Sequence, residues 1–89
     1  MRAVITVIGH DAIGIIAEVT ATLSKNNVNV LDISQSVLQD FFAMVMLVDI
    51  SKCEIDFDLL RSELTEAGKK KGVNILAMHE DIFNSMHRI

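Results

Sequence analysis

Residues 2–26, RAVITVIGHDAIGIIAEVTATLSKN, decide the fold, because a β-rich run passes through one short turn into an amphipathic helix. The run from Arg2 to Gly9 is apolar on both alternating faces apart from Thr6, which is typical of a central strand covered on both sides. From Ile13 to Asn26, apolar side chains recur with helical spacing instead. The chain therefore opens with a strand, a turn and a helix.

The rest of the chain repeats this order after a hairpin. The patterns predict two strands joined by a tight turn, a second helix, a fourth strand and a short third helix: Val28 to Leu38, Phe41 to Ile50, Asp56 to Lys71, Val73 to Met78 and Glu80 to Ile89. A slip in parity near Val30-Leu31 indicates a β-bulge in the second strand. Asp56 is a candidate N-cap, and Gly72 stands where a glycine commonly ends a helix.

The order β-α-β-β-α-β predicts an α+β, ferredoxin-like fold with a short C-terminal helix. Right-handed crossovers place the first two helices on one face of a four-stranded antiparallel sheet, with the first and third strands in its middle. We expect residues 1–79 to form this domain and residues 80–89 to extend it. Both central strands are apolar on their second face as well, so we expect the C-terminal helix or a second copy to cover it and predict a homodimer.

Composition excludes several functional classes. The chain has 89 residues, which is enough for one domain, and a net charge of −4, so we expect no nucleic-acid partner. No apolar run approaches the roughly 20 residues of a membrane-spanning helix. The single cysteine, Cys53, and the lack of a visible leader predict a cytoplasmic protein that does not associate with membranes.

The turn after the first strand holds the strongest candidate binding site. Unbonded amides at the start of a helix favour a carboxylate, and Gly14 has no Cβ, so a ligand or a neighbouring chain can approach closely. Asp11 can cap the helix or bind an ammonium group. On these residues alone, an ordinary capped helix start explains the same pattern.

Two histidine clusters, His10-Asp11 and His79-Glu80-Asp81, suggest catalytic or metal-binding roles. In the predicted topology they end antiparallel strands at opposite edges of the sheet, about 20 Å apart, so they cannot share one ion within a chain. No paired base and nucleophile is visible. We therefore predict a non-enzymatic protein without a cofactor and assign no catalytic or metal-binding residue.

Three segments, GHDAIGIIAEV at 9–19, NVNV at 27–30 and LDISQ at 31–35, resemble the ACT domain family. The resemblance covers essentially the whole chain. The sequence is similar to small stand-alone ACT proteins and to the amino-terminal part of the glycine cleavage system transcriptional repressor. It implies a βαββαβ fold and dimers that join their sheets side by side. It also implies that small effectors, often amino acids, bind at the dimer interface near the first turn.

The resemblance also implies a set of ligand contacts. Carried over by position, these are Asp11, Ile13 and Gly14 in the turn, with Asp32, Ile33 and Ser34 facing them from the second strand of another copy; we add His10 because it adjoins the turn. Ala12-Ile13 stands where many members carry Arg-Pro, so a guanidinium that could hold a carboxylate is missing.

We therefore predict a dimeric regulatory module that binds a small polar metabolite, with an amino acid as the leading class. A change in its surface on binding would be recognised by a protein partner. The alternative is a dimerisation or protein-interaction module that binds no ligand.

Overall fold

The computed structural model describes residues 1–10 and 14–86, except for the side chain of Leu38. The predicted helix start at Ile13 and the predicted end of the last helix at Ile89 therefore lie outside the described residues. Seven elements follow one another: β1 Arg2–Gly9, α1 Ile15–Lys25, β2 Asn29–Leu38, β3 Phe41–Asp49, α2 Phe57–Lys71, β4 Asn74–His79 and α3 Glu80–Met86. The predicted βαββαβ order with a short C-terminal helix is confirmed.

The four strands form one antiparallel sheet in the order β2-β3-β1-β4, with β1 and β3 in the middle as predicted. β1 pairs with β3 along its whole length, from Arg2 opposite Asp49 to Gly9 opposite Phe42. The register of β2 on β3 shifts between Val30 and Asp32, which confirms the bulge that the parity slip indicated. β2 and β4 are the edge strands.

The core lies between the sheet and the helices α1 and α2. Its fully buried side chains come from one face of β1 and β3 and from the inner faces of both helices: Ala3, Ile5, Val7, Met44, Met46, Val48, Ile15, Val19, Leu23, Leu60 and Leu64. Burying one large apolar side chain contributes about 1.5–3 kcal/mol. The alternate residues of the strands and the inner residues of the helices therefore form a single apolar layer, to which Met44 and Met46 belong.

The other side of the sheet, which we call the open face, consists of the alternate positions. In register these are Arg2, Val4, Thr6 and Ile8 of β1, Phe41, Ala43, Val45, Leu47 and Asp49 of β3, Asn74, Leu76 and Met78 of β4, and Asp32, Ser34 and Ser36 of β2. Val4 is only 5% exposed although it does not belong to the main core, whereas Ile8 is 44% exposed. The open face is therefore covered at one end only.

The helix α3 contacts β1 and β4 at the covered end. Its first residue, Glu80, accepts a hydrogen bond from Arg2 Nε at 3.0 Å to Oε1 and forms an ion pair with Arg2 Nη2 at 2.7 Å from Oε2. Such a forked pair fixes orientation as well as distance. Of the two covers that the sequence predicted for this face, the C-terminal helix supplies a part.

The ends of the helices follow local chemistry. Gly72 ends α2 in the left-handed conformation, with φ 70°, as predicted, and Asn27 adopts φ 62° after α1. Asp56 occupies the N-cap position of α2, but its side chain makes no capping hydrogen bond. No helix in the described part of the chain is long and apolar enough to cross a bilayer.

Asn26 is a buried polar residue, 4% exposed, at the end of α1. Its Nδ2 donates to the Thr22 carbonyl at 2.9 Å and to Glu63 Oε1 at 2.8 Å, and its carbonyl accepts from the Glu54 amide at 3.1 Å. The Asn26 hydrogen bond, together with the Lys25 ammonium, lowers the pKa of the Glu63 carboxyl. Asn26 therefore joins α1 to α2 and to the loop before α2.

We expect Asn26→Asp to lower the free energy of unfolding by about 2 kcal/mol near neutral pH, because it places a second carboxylate against Glu63 in a buried position. The loss should shrink at about pH 4, where one of the two carboxyl groups is protonated. Urea unfolding followed by circular dichroism at both pH values measures this.

Asn27→Asp is the matched control, since it makes the same change one residue later at an exposed side chain. Equal losses for the two variants would show that the buried hydrogen bonds of Asn26 contribute nothing specific.

Candidate functional site

The β1–α1 turn, residues 10–14, ends in an unusual helix start. Gly14 is the N-cap of α1 and adopts the left-handed conformation, with φ 77°, and its carbonyl accepts the first helical hydrogen bond from the Glu18 amide at 3.0 Å. No side chain among the described residues caps this end. The first-turn amides of α1 therefore point outward beside a residue that has no Cβ.

Lys71, the last residue of α2, lies against this helix start. A Cβ built on Gly14 would lie 3.3 Å from Lys71 Nζ and 3.8 Å from its Cε. Lys69 pairs with Glu66 at 3.7 Å and Lys70 with Glu18 at 4.0 Å, whereas Lys71 has no ion pair within the described residues. The turn thus combines outward amides with an ammonium group.

From the sequence, the run Lys69 to Lys71 is interpreted as complementing the dipole of α2, with a docking role as the alternative, and the contact with Gly14 was not predicted. The signal was present in the topology. In a βαββαβ fold, α1 runs down from the end of β1 and α2 runs up towards the start of β4, so the end of α2 lies level with the start of α1. The last residue of α2 is therefore the one that reaches the turn.

His10, the other described residue of the turn, packs over the β2–β3 hairpin. Its ring lies 4.5 Å from the Phe41 ring, centroid to centroid, and its Nδ1 is 3.8 Å from Asp40 Oδ2. A hollow of about 240 Å³ lies beside it, lined by Ile8, Gly9, His10, Phe41, Gly72, Val73 and Asn74. His10 and the end of α2 therefore share one end of the molecule.

The predicted contacts on β2 lie elsewhere in the chain. Asp32 and Ser34 are on the open face and Ile33 is on the helix-covered side, all of them exposed. Gly9 at the end of β1 pairs with Phe42 of β3, and Phe42 pairs with Val37 of β2, so Val37 is the β2 residue in register with Gly9. Asp32 is five residues away from it, about 16 Å along the strand. Within one chain the structure does not bring this segment to the turn.

Asp11 and Ile13 lie outside the described residues, so their predicted contacts stay predictions. The second histidine cluster is at the far end of the sheet, since His79 pairs with Ala3 in the register of β4 on β1. Its ring stacks on Phe57 at 4.2 Å. His10 therefore lies too far from this cluster to share an ion with it within one chain, and no group of three potential metal ligands occurs among the described residues.

We expect Gly14→Ala and Gly72→Ala each to lower the free energy of unfolding by about 1 kcal/mol. The two glycines have φ values of 77° and 70°, and an alanine is strained in this left-handed region. The two sites differ in their surroundings. An added Cβ at Gly72 meets nothing within 4 Å, whereas at Gly14 it meets Lys71. Urea unfolding of the two variants, each with and without Lys71→Ala, separates strain from contact.

The contact with Lys71 predicts that Lys71→Ala lessens the cost of Gly14→Ala and leaves that of Gly72→Ala unchanged. A neutral Gly14→Ala variant would mean that the left-handed helix start does not form.

Comparison with known proteins supports the fold and extends it to a family. The model of the ACT domain family matches residues 2–77. The chain is 51% identical over 88 residues to a UPF0237 protein of Methanocaldococcus jannaschii, covering 99% of this chain and 98% of the relative. It is also 51% identical over 89 residues to a UPF0237 protein of Clostridium acetobutylicum, covering all of both chains.

Solved structures agree. An ACT domain protein from Streptococcus pneumoniae is 38% identical, with a TM-score of 0.81 over 98% of both chains. A protein assigned as a glycine cleavage system transcriptional repressor is 22% identical over 86% of this chain and 44% of its own, with a TM-score of 0.71, and this likeness concerns the fold alone. The resemblance seen in the sequence is confirmed, and the chain belongs to the ACT domain family, a family of regulatory domains that commonly bind ligands.

Proposed function

We propose that this chain is a non-catalytic regulatory module that binds a small metabolite carrying a carboxylate, with an amino acid as the leading class, at the β1–α1 turn. The observation that carries the proposal is the Lys71 ammonium beside Gly14, at a helix start without a described side-chain cap. A carboxylate placed there would meet the first-turn amides and a cation together, and charge-assisted hydrogen bonds are the stronger kind.

Lys71 also supplies the positive charge that the turn lacks relative to the family pattern. Many members carry Arg-Pro where this chain has Ala12-Ile13, so the turn itself supplies no cation. An ammonium from the end of α2 takes over that role, as a point charge that does not require the planar two-bond geometry of arginine. Gly14 leaves the space through which the ligand reaches both the amides and the ammonium.

The amino group of the ligand needs an acceptor, and we assign that role to Asp11, with the β2 segment Asp32 to Ser34 of a second copy beside it. The β2 edges of two copies would pair side by side and bring the exposed Asp32 segment to the other copy's turn. Asp32 Oδ1 accepts the Ile33 amide at 2.9 Å in the single chain. Edge pairing would take the Ile33 amide away from this carboxylate, and the ligand would then bind between the two paired copies, so the two events are coupled.

A second reading is a dimerisation module that binds no ligand. It is favoured by the exposed apolar side chains of the open face, such as Leu76 at 57% and Phe41 at 50% exposed, which need a cover but no metabolite. The two readings differ in one measurable property, the response of the folded state to small molecules.

We expect one amino acid, or a few related ones, to raise the midpoint of thermal unfolding of the purified chain. A ligand present at about 100 times its dissociation constant stabilises the folded state by about 2.7 kcal/mol. Thermal unfolding with a panel of the common amino acids, followed by circular dichroism, measures this. If none of them shifts the midpoint, the module without a ligand is the better reading.

For the amino acid that binds, Lys71→Gln should weaken binding roughly tenfold or more, because one charge-assisted contact contributes about 1.5–3 kcal/mol. Titration calorimetry measures the loss.

Lys69→Gln is the control. It removes the same charge from the same turn of α2, but Lys69 pairs with Glu66 instead of lying against Gly14. Equal affinities for the two variants would place the site away from the β1–α1 turn.

A further inference from the structure

The open face is an apolar surface that the described part of the chain leaves largely uncovered. Leu76 on β4, Ile8 on β1 and Phe41 on β3 are about half exposed, and Val45 between them is 38% exposed. Monomeric proteins rarely leave a contiguous apolar patch of this kind on a sheet. The surface therefore needs a partner that is itself apolar.

The helix α3 gives this surface the shape of a step. It covers the end that contains Val4 and leaves the end that contains Ile8 and Phe41 bare. The helix itself carries exposed apolar side chains, Ile82 and Met86, one turn apart and hence on one side. A partner with a complementary shape must recede where α3 projects from the sheet and must project where the sheet is bare.

Charge narrows the choice of partner further. The open-face positions of β1 from Val4 to Ile8, of β3 from Phe41 to Leu47, and of β4 carry no charged side chain. The chain as a whole has a net charge of −4, so two copies repel each other at long range. This part of the open face is neutral, so two copies can meet there without bringing like charges together, whereas the carboxylate of Asp32 lies at the margin of the face on the edge strand β2.

The size of the surface also suits a second copy. The molecule measures 35 × 34 × 19 Å, and the open face is one of its two broad sides. A stable dimer buries about 800 Å² on each partner, which corresponds to a square of about 28 Å on a side. The open face with α3 is large enough for such an interface.

We propose that the open face binds the open face of a second copy turned end for end about a two-fold axis. Each α3 then fills the low, bare end of the other copy, and Ile82 and Met86 of one chain meet Ile8 and Phe41 of the other. In an interface with two-fold symmetry, each such contact is made twice. The step that α3 creates fixes the orientation.

This interface is separate from the β2 edge that the proposed function uses. An edge pairs two sheets in one plane, whereas the open face stacks two sheets, so both contacts can exist in one assembly. The stacked interface does not require a ligand. The test of the stacked interface therefore does not depend on whether an amino acid binds.

Leu76→Glu tests the stacked interface, with Leu59→Glu as its matched control. The two leucines are almost equally exposed, at 57% and 56%, but Leu59 is on α2, on the other side of the molecule. Sedimentation velocity between about 1 and 100 µM gives the mass of each assembly. Circular dichroism verifies that both variants fold.

We expect the wild type to have at least twice the chain mass of 9.9 kDa, Leu76→Glu to halve the assembly, and Leu59→Glu to leave it unchanged. The halving follows because the two-fold axis brings two new carboxylates near each other in an apolar layer. A wild type that stays monomeric, or a Leu76→Glu variant that assembles like the wild type, would overturn the proposal.

The orientation is tested by crosslinking two variants, Ile8→Cys and Met86→Cys, both in a Cys53→Ser chain. Treating their mixture with a short bis-maleimide should give a crosslinked pair of the two different chains, in excess over either chain linked to itself. Crosslinking of Ile8→Cys mainly to itself would overturn the end-for-end arrangement.

Discussion

The packing of β1 and β3 against α1 and α2 is the interaction on which the rest of the structure depends. Both strands are central, so they fix the register of the two edge strands, and their buried alternate residues fix how α1 and α2 lie across the sheet. That arrangement sets the end of α2 level with the start of α1. The position of Lys71 beside Gly14 is thus a consequence of the core, although neither residue belongs to it.

The candidate site and the open face use opposite properties of the same sheet. At the end of β1 the chain supplies amides, a glycine without a side chain and an ammonium group, which suit a small anion. On the open face it supplies neutral apolar side chains, which suit a surface of the same kind. A regulatory module needs both a place for an effector and a contact whose strength the effector can alter.

Much of the fold was predictable because its signals are local. β1 has the predicted bounds, the parity slip located the bulge before Asp32, and the crossover rule gave the strand order. The candidate site was harder to predict from the sequence. The contact of Lys71 with Gly14 joins residues far apart in the chain, and the dipole of α2 offered a sufficient local explanation for the lysines. The segment around Asp32 could not be placed from one chain, because its expected role belongs to a second copy.

The hydrogen bond from the Ile33 amide to Asp32 Oδ1 has a consequence for the chain outside its function. A ten-residue edge strand with exposed apolar side chains is a template on which misfolded chains can grow into fibrils. Here a carboxylate occupies an amide of that edge, and the bulge beside it twists the strand. Any strand that pairs with this edge must first displace a charged group, which disfavours the uncontrolled strand addition from which fibrils grow.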